Sequence, residues 1–236
     1  MAIAYKGPST TNPNEDIVVL TTLNSKNSKT GRMVQTWFLL ADHDPNEAFK
    51  AARGSEEAIA QTNCGGCPHL KEGTCYVLWH QAPLSTWRRY QRGGHNNEAI
   101  PTNLPVRLGA AGNPNSAPFE VSYSLVQNAP SWTGYVHQWL TCDQRFKGIT
   151  MASCDSKAEA KAAQAMGWRT FRVAEVGDTE LLPGEIICPA TQKKPNGDPK
   201  TDCATCGLCS GTDGRGRCSI VVEAHGKSKN KFTTGE

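Results

Sequence analysis

Apolar positions in this chain fall in short runs separated by polar and glycine-rich stretches. Residues 16–23 (DIVVLTTL) and 33–41 (MVQTWFLLA) are dense in Val, Thr, Ile, Leu and aromatics, the composition of buried strands. The polar stretch 24–32 between them reads as a turn, so the pattern predicts an N-terminal β-hairpin over 16–41. A helix follows, with Asp44 as N-cap, Pro45 at its first position and Glu47 closing a capping box. It breaks near Gly54 and resumes through 55–61. The stretch 83–94 (PLSTWRRYQRGG) predicts a second helix that stops at Gly93–Gly94.

From residue 104 short strands alternate with helical patterns. Strands are predicted over 105–112, 131–139, 148–155, 168–176, 184–190 and 218–226, and a helix over 118–127. The clearest helix is 156–167 (SKAEAKAAQAMG), where Ser156 and Glu159 form a capping box and Gly167 lies beyond the end. Alternation of this kind predicts an α/β fold with a parallel sheet. Functional residues then belong at the C-terminal ends of its strands. Residues 1–226 read as one domain: the hairpin, a barrel-like core over 62–187, and a cysteine-rich segment over 188–226. The polar end, 227–236, reads as a flexible tail.

Composition narrows the class. The 236 residues suffice for a real core, and the hydrophobic fraction of 38% suits a loop-rich soluble protein. No run approaches the eighteen or so apolar residues of a membrane span. The first residues lack the pattern of a signal peptide, so the expected compartment is a reducing cytoplasm. Ten cysteines in that setting point to metal or redox chemistry before disulfides. The net charge of +3 permits a nucleic-acid partner without arguing for one.

Cys203, Cys206 and Cys209 stand at strict three-residue steps. Between Ala190 and Cys218 the main aliphatic side chain is Leu208. Its burial stabilises by about 1.5–3 kcal/mol, whereas ordering backbone costs about 1–2 kcal/mol per residue. A structural metal offers on the order of 10 kcal/mol. The segment is therefore either disordered or organised by a metal, and the spacing favours the metal. Continuous Cys-x2-Cys-x2-Cys is ferredoxin-like spacing, and Cys188-Pro189 supplies a fourth thiolate ahead of the triplet. The expected group is a [4Fe–4S] cluster on Cys188, Cys203, Cys206 and Cys209, with zinc on the same residues as the alternative. His225 or Cys218 are substitutes for one ligand, although a strand-end surface histidine is the simpler reading of His225.

A second set, Cys64, Cys67 and Cys75, lies in CGGCPHLKEGTC. Gly65 and Gly66 let backbone wrap closely around an ion or cluster. Three thiols with one open position suit a catalytic cluster, while His69 would make a Cys3His zinc site. Cys142 and Cys154 stand alone on apolar stretches and read as buried structural thiols.

With these parts in place, the layout resembles that of radical S-adenosylmethionine (SAM) proteins. A three-cysteine loop is followed by a helix (83–92) and a strand ending in Gly112-Asn113-Pro114, where that superfamily has a Gly-Glu-Pro-like motif. Residues 149–156 (ITMASCDS) resemble its fourth barrel strand, with Ser153 and Asp155 at the C-terminal end. The resemblance implies a compact partial parallel barrel, SAM as a ligand near Gly112, Asn113, Pro114 and Ser153, and a late auxiliary cluster. Two features differ: the spacing is Cys-x2-Cys-x7-Cys in place of Cys-x3-Cys-x2-Cys, and Asn113 stands in place of the acid. The chain also resembles cysteine-rich proteins encoded by bacteriophages and prophages. Those share stretches such as RLGAAGNP, TGYVHQW, MASCDS and CATCGLC, which implies a host-cytoplasm setting.

Three further groups carry expectations. His137 and Gln138, at a strand end with Trp139, read as acid/base and amide reader of a pocket, together with Asp155. Arg107 reads as an anion or carboxylate grip, or as a structural ion pair. Trp87, Arg88, Arg89, Tyr90 and Arg92 on one helix suit base stacking and phosphate contact, or equally a solvated face with two core aromatics. The combined expectation is an iron–sulfur protein, with one or two clusters, acting on nucleotides or nucleic acid; the alternative is a zinc-stabilised binding module without catalysis.

Overall fold

The computed structural model describes residues 1–23, 29–55, 62–96, 99, 101–226 and 228–234. Three strands open the chain: β1 (Ala2–Pro8), β2 (Asp16–Thr22) and β3 (Val34–Leu40). β2 and β3 form the expected antiparallel hairpin, with Val19 opposite Phe38. β1, which the sequence pattern did not predict, pairs antiparallel with β2. In β2, Ile17 and Val19 enter one core cluster and Val18 and Leu20 another, which explains why the run has no polar alternation.

Helix α1 (Pro45–Ala52) starts as expected: Asp44 Oδ1 accepts from the amides of Asn46 and Glu47. Glu47 pairs with Lys50 rather than reaching back to the cap. The continuation expected over 55–61 lies largely outside the described residues. One turn of helix, α2 (Pro68–Lys71), sits inside the cysteine loop, and α3 (Ala82–Gln91) follows. β4 (Val106–Ala111) then pairs in parallel with β3. Its register shifts where Gly109 has φ +71°, and the Thr36 hydroxyl bridges the irregularity, accepting from Gly109 N and donating to Arg107 O.

Next come α4 (Phe119–Val126), β5 (Trp132–Thr133) and β6 (Tyr135–Val136). The single strand expected over 131–139 is thus split at Gly134. β5 pairs with β4, and β6 pairs with β7 (Met151–Cys154), so one short stretch of chain serves both sheets. A Cβ at Gly134 would lie 3.0 Å from Leu108 Cβ and 3.1 Å from Thr150 Cγ2, which leaves little room for a side chain there. Residues 148 and 149, expected as the start of a strand, instead end a helical turn, α5 (Phe146–Ile149). Then α6 (Lys157–Ala165) is capped by Ser156, and β8 (Thr170–Ala174), β9 (Glu185–Ile187), α7 (Cys203–Cys206) and β10 (Ser219–Glu223) complete the order.

The first sheet runs β1-β2-β3-β4-β5 and the second runs β6-β7-β8-β10-β9, all parallel. Among the described residues the strands do not close into a barrel. One core cluster draws on both sheets and on α6, from Val19, Phe38 and Leu108 to Val136, Ala152 and Ala160. Arg172 is fully buried in β8 and holds Glu185 of β9 through two hydrogen bonds, at 3.0 and 2.8 Å. The end of the chain is not a free tail where it is described: Phe232 is buried against His69, and Thr234 N donates to Glu175.

No helix is long and apolar enough to cross a membrane among the described residues.

Candidate metal centres and the cavity between them

Parallel strands point their C-terminal ends the same way, and the segments that leave those ends converge. Gly112–Asn113 leave β4, His137 leaves β6, Cys188 leaves β9 and Ala224–His225 leave β10. They surround a cavity of about 240 Å³. Cys64, Cys67 and Cys75 form one part of its wall, and Cys188 and Cys203 form another. Two groups of thiols more than a hundred residues apart in sequence therefore face one space.

The first group depends on a tight loop. Gly65 has φ +57°, and a Cβ there would come 2.5 Å from Gln138 Nε2. That close approach lets Gln138 donate to Cys64 O at 2.8 Å, while its other amide atom accepts from Asn113 Nδ2. Asn113 N donates to Asn63 O at 3.2 Å. Gly112 is equally constrained, because a Cβ would collide with Phe38 O and Asn63 Nδ2. Cys67 caps α2 with Pro68 at its first position, and the amides of Thr74 and Cys75 both return to His69 O at 3.0 Å. Burial raises all three thiol pKa values, those of Cys67 and Cys75 to about 11, with neighbouring cysteines adding to the rise at Cys64 and Cys75. A metal must displace those protons to bind.

Beside this loop lies a polar cluster. His69 Nε2 is 2.8 Å from Asp155 Oδ1, and its Nδ1 is 2.8 Å from Thr74 Oγ1. His137 Nε2 is 3.1 Å from Ser153 Oγ, 3.8 Å from Cys67 Sγ and 3.9 Å from Asp155 Oδ2. Burial pulls the His69 pKa down, but the hydrogen bond and charge of Asp155 outweigh it and the net shift is upward. Burial likewise opposes ionisation of Asp155, and the two histidines overcome it, leaving its pKa lowered. His69 turns its two ring nitrogens to Thr74 and Asp155. His137 is the imidazole nearest a cysteine sulfur.

The second group also has a local logic. Asp202 caps α7 by accepting from Thr205 N at 2.8 Å, and Gly207, at φ +60°, ends it. Cys188, Cys203, Cys206 and Cys209 line a small void of about 20 Å³, which adjoins the larger cavity at Cys188 and Cys203. The sequence-predicted ligand set is thus brought together. Burial raises the pKa of Cys188 and Cys209, and takes Cys203 to about 11 against the opposing charge of Arg107.

The choice between disorder and a metal left out Arg169, which is 8% exposed. Its guanidinium donates to the carbonyls of Leu208, Gly211 and Cys218 at 2.6–3.1 Å. Backbone bonds add to this: Gly134 N to Cys209 O, Cys203 N to Lys29 O and Ala204 N to Thr30 O. A buried cation and backbone bonds to Gly134 and to the turn at 29–30 do part of the work assigned to a metal.

The remaining expected residues divide. Arg107, Gly112, Asn113, His137 and Ser153 line the cavity. Asp155 sits behind His69. Pro114 opens a buried 3-10 turn over Pro114–Ser116, and Gln138 faces a separate groove of about 550 Å³. Arg107 donates to Tyr76 Oη at 3.4 Å. On α3, the Trp87 indole donates to Leu40 O and Ala41 O, and Trp87 and Tyr90 pack on the first sheet. The arginines there are exposed, the arrangement of a solvated face with two core aromatics. His225 is exposed and packs at a tilt against Tyr76, with ring centroids 4.9 Å apart. Cys154 is fully buried in the core, and Cys142 is half-buried beside it.

Comparison with known proteins adds no relative: no family model, no curated protein and no solved structure matches this chain.

Proposed function

We propose that this chain is an iron–sulfur protein. In this reading Cys64, Cys67 and Cys75 hold the working centre, and Cys188, Cys203, Cys206 and Cys209 hold a second, mainly structural one. The observation that carries the reading is the shared cavity, whose wall includes thiols from both groups. Purely structural metals sit in closed sites, whereas a working centre keeps a position open.

The donor set fits soft metal chemistry, since buried thiolates select zinc or iron–sulfur clusters. Sulfur spacing favours the cluster. A single zinc with bonds of about 2.3 Å places its thiolates about 3.8 Å apart. Among the described residues, no three cysteines bring their sulfurs within 4.8 Å of one another. A cluster, whose thiolates bind separate irons, spreads them wider. When bound, such a centre supplies one-electron chemistry at the cavity wall.

The radical-SAM-like layout belongs to the same proposal as its finer part. It is supported by the parallel strand array and by Asn113, whose Oδ1 is buried without a protein partner and suits an ammonium donor. The cavity, at about 240 Å³, lies below the usual range of about 300–1,000 Å³ for ligand pockets. The aromatics of α3 are engaged with the sheet, so a nucleotide substrate rests on the cavity and not on that helix.

The test is anaerobic purification with metal and sulfide analysis. Brown protein with iron and acid-labile sulfide in equal amounts supports the proposal. Colourless protein with about two zinc ions per chain overturns it in favour of a zinc-stabilised module. For the finer part, the dithionite-reduced protein is incubated with SAM. Release of 5′-deoxyadenosine supports it, and absence of both binding and cleavage removes it.

A further inference from the structure

Beyond the two thiol groups, His69, His137 and Asp155 bring three ligand atoms within 4.8 Å of one another. They come from α2, from the end of β6 and from the end of β7. We propose that these three residues form a third metal site, for a divalent first-row transition ion bound by nitrogen and oxygen.

Four observations support it. The donor set is two imidazoles and one carboxylate, which occupies one face of an ion and leaves other positions open. His69 and His137 both border the cavity, so those open positions face a space where a small molecule fits. The side chains are 14%, 25% and 13% exposed for His69, His137 and Asp155, which limits competition from water. Outer support is present as well: Thr74 Oγ1, 2.8 Å from His69 Nδ1, fixes the ring with Nε2 toward Asp155. A partner on the far nitrogen is what holds a metal-binding histidine in its tautomer.

The 2.8 Å contact between His69 Nε2 and Asp155 Oδ1 is the one an ion replaces. The proton held there leaves to solvent as the ion enters. On the His137 side, Ser153 gives up its 3.1 Å contact with the same nitrogen that turns to the metal. Cys67 Sγ, 3.8 Å from that nitrogen, places the site next to the first thiol group without sharing a ligand with it. The inference stands independently of the iron–sulfur reading, because its donors are nitrogen and oxygen and its probe is a hard ion.

Manganese(II) is that probe, since it favours oxygen and nitrogen over thiolate. The purified full-length protein is titrated with Mn2+, and binding is followed by loss of the free-ion EPR signal. The expected result is one bound Mn2+ per chain, with affinity falling in Asp155→Asn and in His69→Gln by more than the about 10- to 100-fold typical of losing an outer partner. Cys142→Ser, at a thiol outside both cysteine groups, should bind Mn2+ like the unmodified protein. No stoichiometric binding, or binding that neither Asp155→Asn nor His69→Gln weakens, overturns the site. If the variants misfold, nitrogen hyperfine couplings in the unmodified protein decide: two imidazole nitrogens on the bound Mn2+ uphold the proposal, and none refutes it.

Discussion

The two thiol regions are built on different principles. The loop over 62–75 is shaped by side-chain amides and glycines: Gln138 reaches into the space left by Gly65, and Asn113 and Asn63 tie it to the end of β4. The segment over 188–218 is held by one buried arginine and by backbone bonds that include two to the turn at 29–30. The first sits among histidines, a carboxylate and a hydroxyl. The second has beside it the aromatic pair Tyr135–Phe171, with ring centroids 4.3 Å apart. A polar setting suits a centre that reacts, and a clamped, apolar one suits a centre that holds chain in place.

Substitution of a ligand in each region should separate them most. Cys206→Ser is expected to lower the melting temperature by about 10 °C or more, since a structural metal is worth several kcal/mol and each shifts a chain of this size by about 2–4 °C. Cys67→Ser should lower it by only a few degrees while removing the metal of its own region. Equal losses in thermal unfolding scans would break the comparison.

Arg169→Ala is next. It strips three buried carbonyls of a charged donor, and a loss of about 3 kcal/mol is expected in urea unfolding. Metal in the second region should fall while metal in the first is retained. A smaller step is Gln138→Ala, which frees Cys64 O and the Asn113 amide and should cost about 1–2 kcal/mol. Its metal loss should be confined to the first region; loss confined to the second would show that the loop does not depend on this amide.

The smallest effect concerns a thiol outside both regions. Burial, with Asp143 adding to it, raises Cys142 from 9.0 to about 11. The folded state therefore keeps this proton between about pH 9 and 11 while the unfolded state loses it. Stability contributed here is full below about pH 9 and declines above it. At pH 8 the thiolate fraction should be about 100-fold below that of a free cysteine. Alkylation by iodoacetamide, followed by mass spectrometry, should be correspondingly slow.

Much of the strand order was legible because most strands are short apolar runs, and α1 and α6 carry local cap signatures in Asp44–Pro45 and Ser156. β1 was missed because its residues are only half-buried on an edge and alternate weakly. The break at Gly134 was missed because it answers to Leu108 and Thr150, far away in sequence. Within the site, Cys203, Cys206 and Cys209 could be grouped by spacing and Cys188 added through its Cys-Pro dipeptide, and the four line one void. The pairing of His69 with Asp155 could not, since 86 positions separate them and no local pattern marks either as a partner. Arg169 was passed over as one charged residue on a strand, although a buried arginine beside a loop of uncapped carbonyls organises it. In the described part of 227–236, Phe232 was the one apolar signal that the end of the chain returns to the fold.

The central claim is that seven named cysteines, and not the other three, are ligands in two centres against one cavity. Thiol footprinting of the anaerobic, metal-loaded protein tests it most directly, repeated after the metal is removed by chelation. Cys64, Cys67, Cys75, Cys188, Cys203, Cys206 and Cys209 should be protected when loaded and labelled afterwards, with Cys142, Cys154 and Cys218 unchanged by the treatment. Labelling of Cys75 or Cys188 at the same rate before and after would contradict the account.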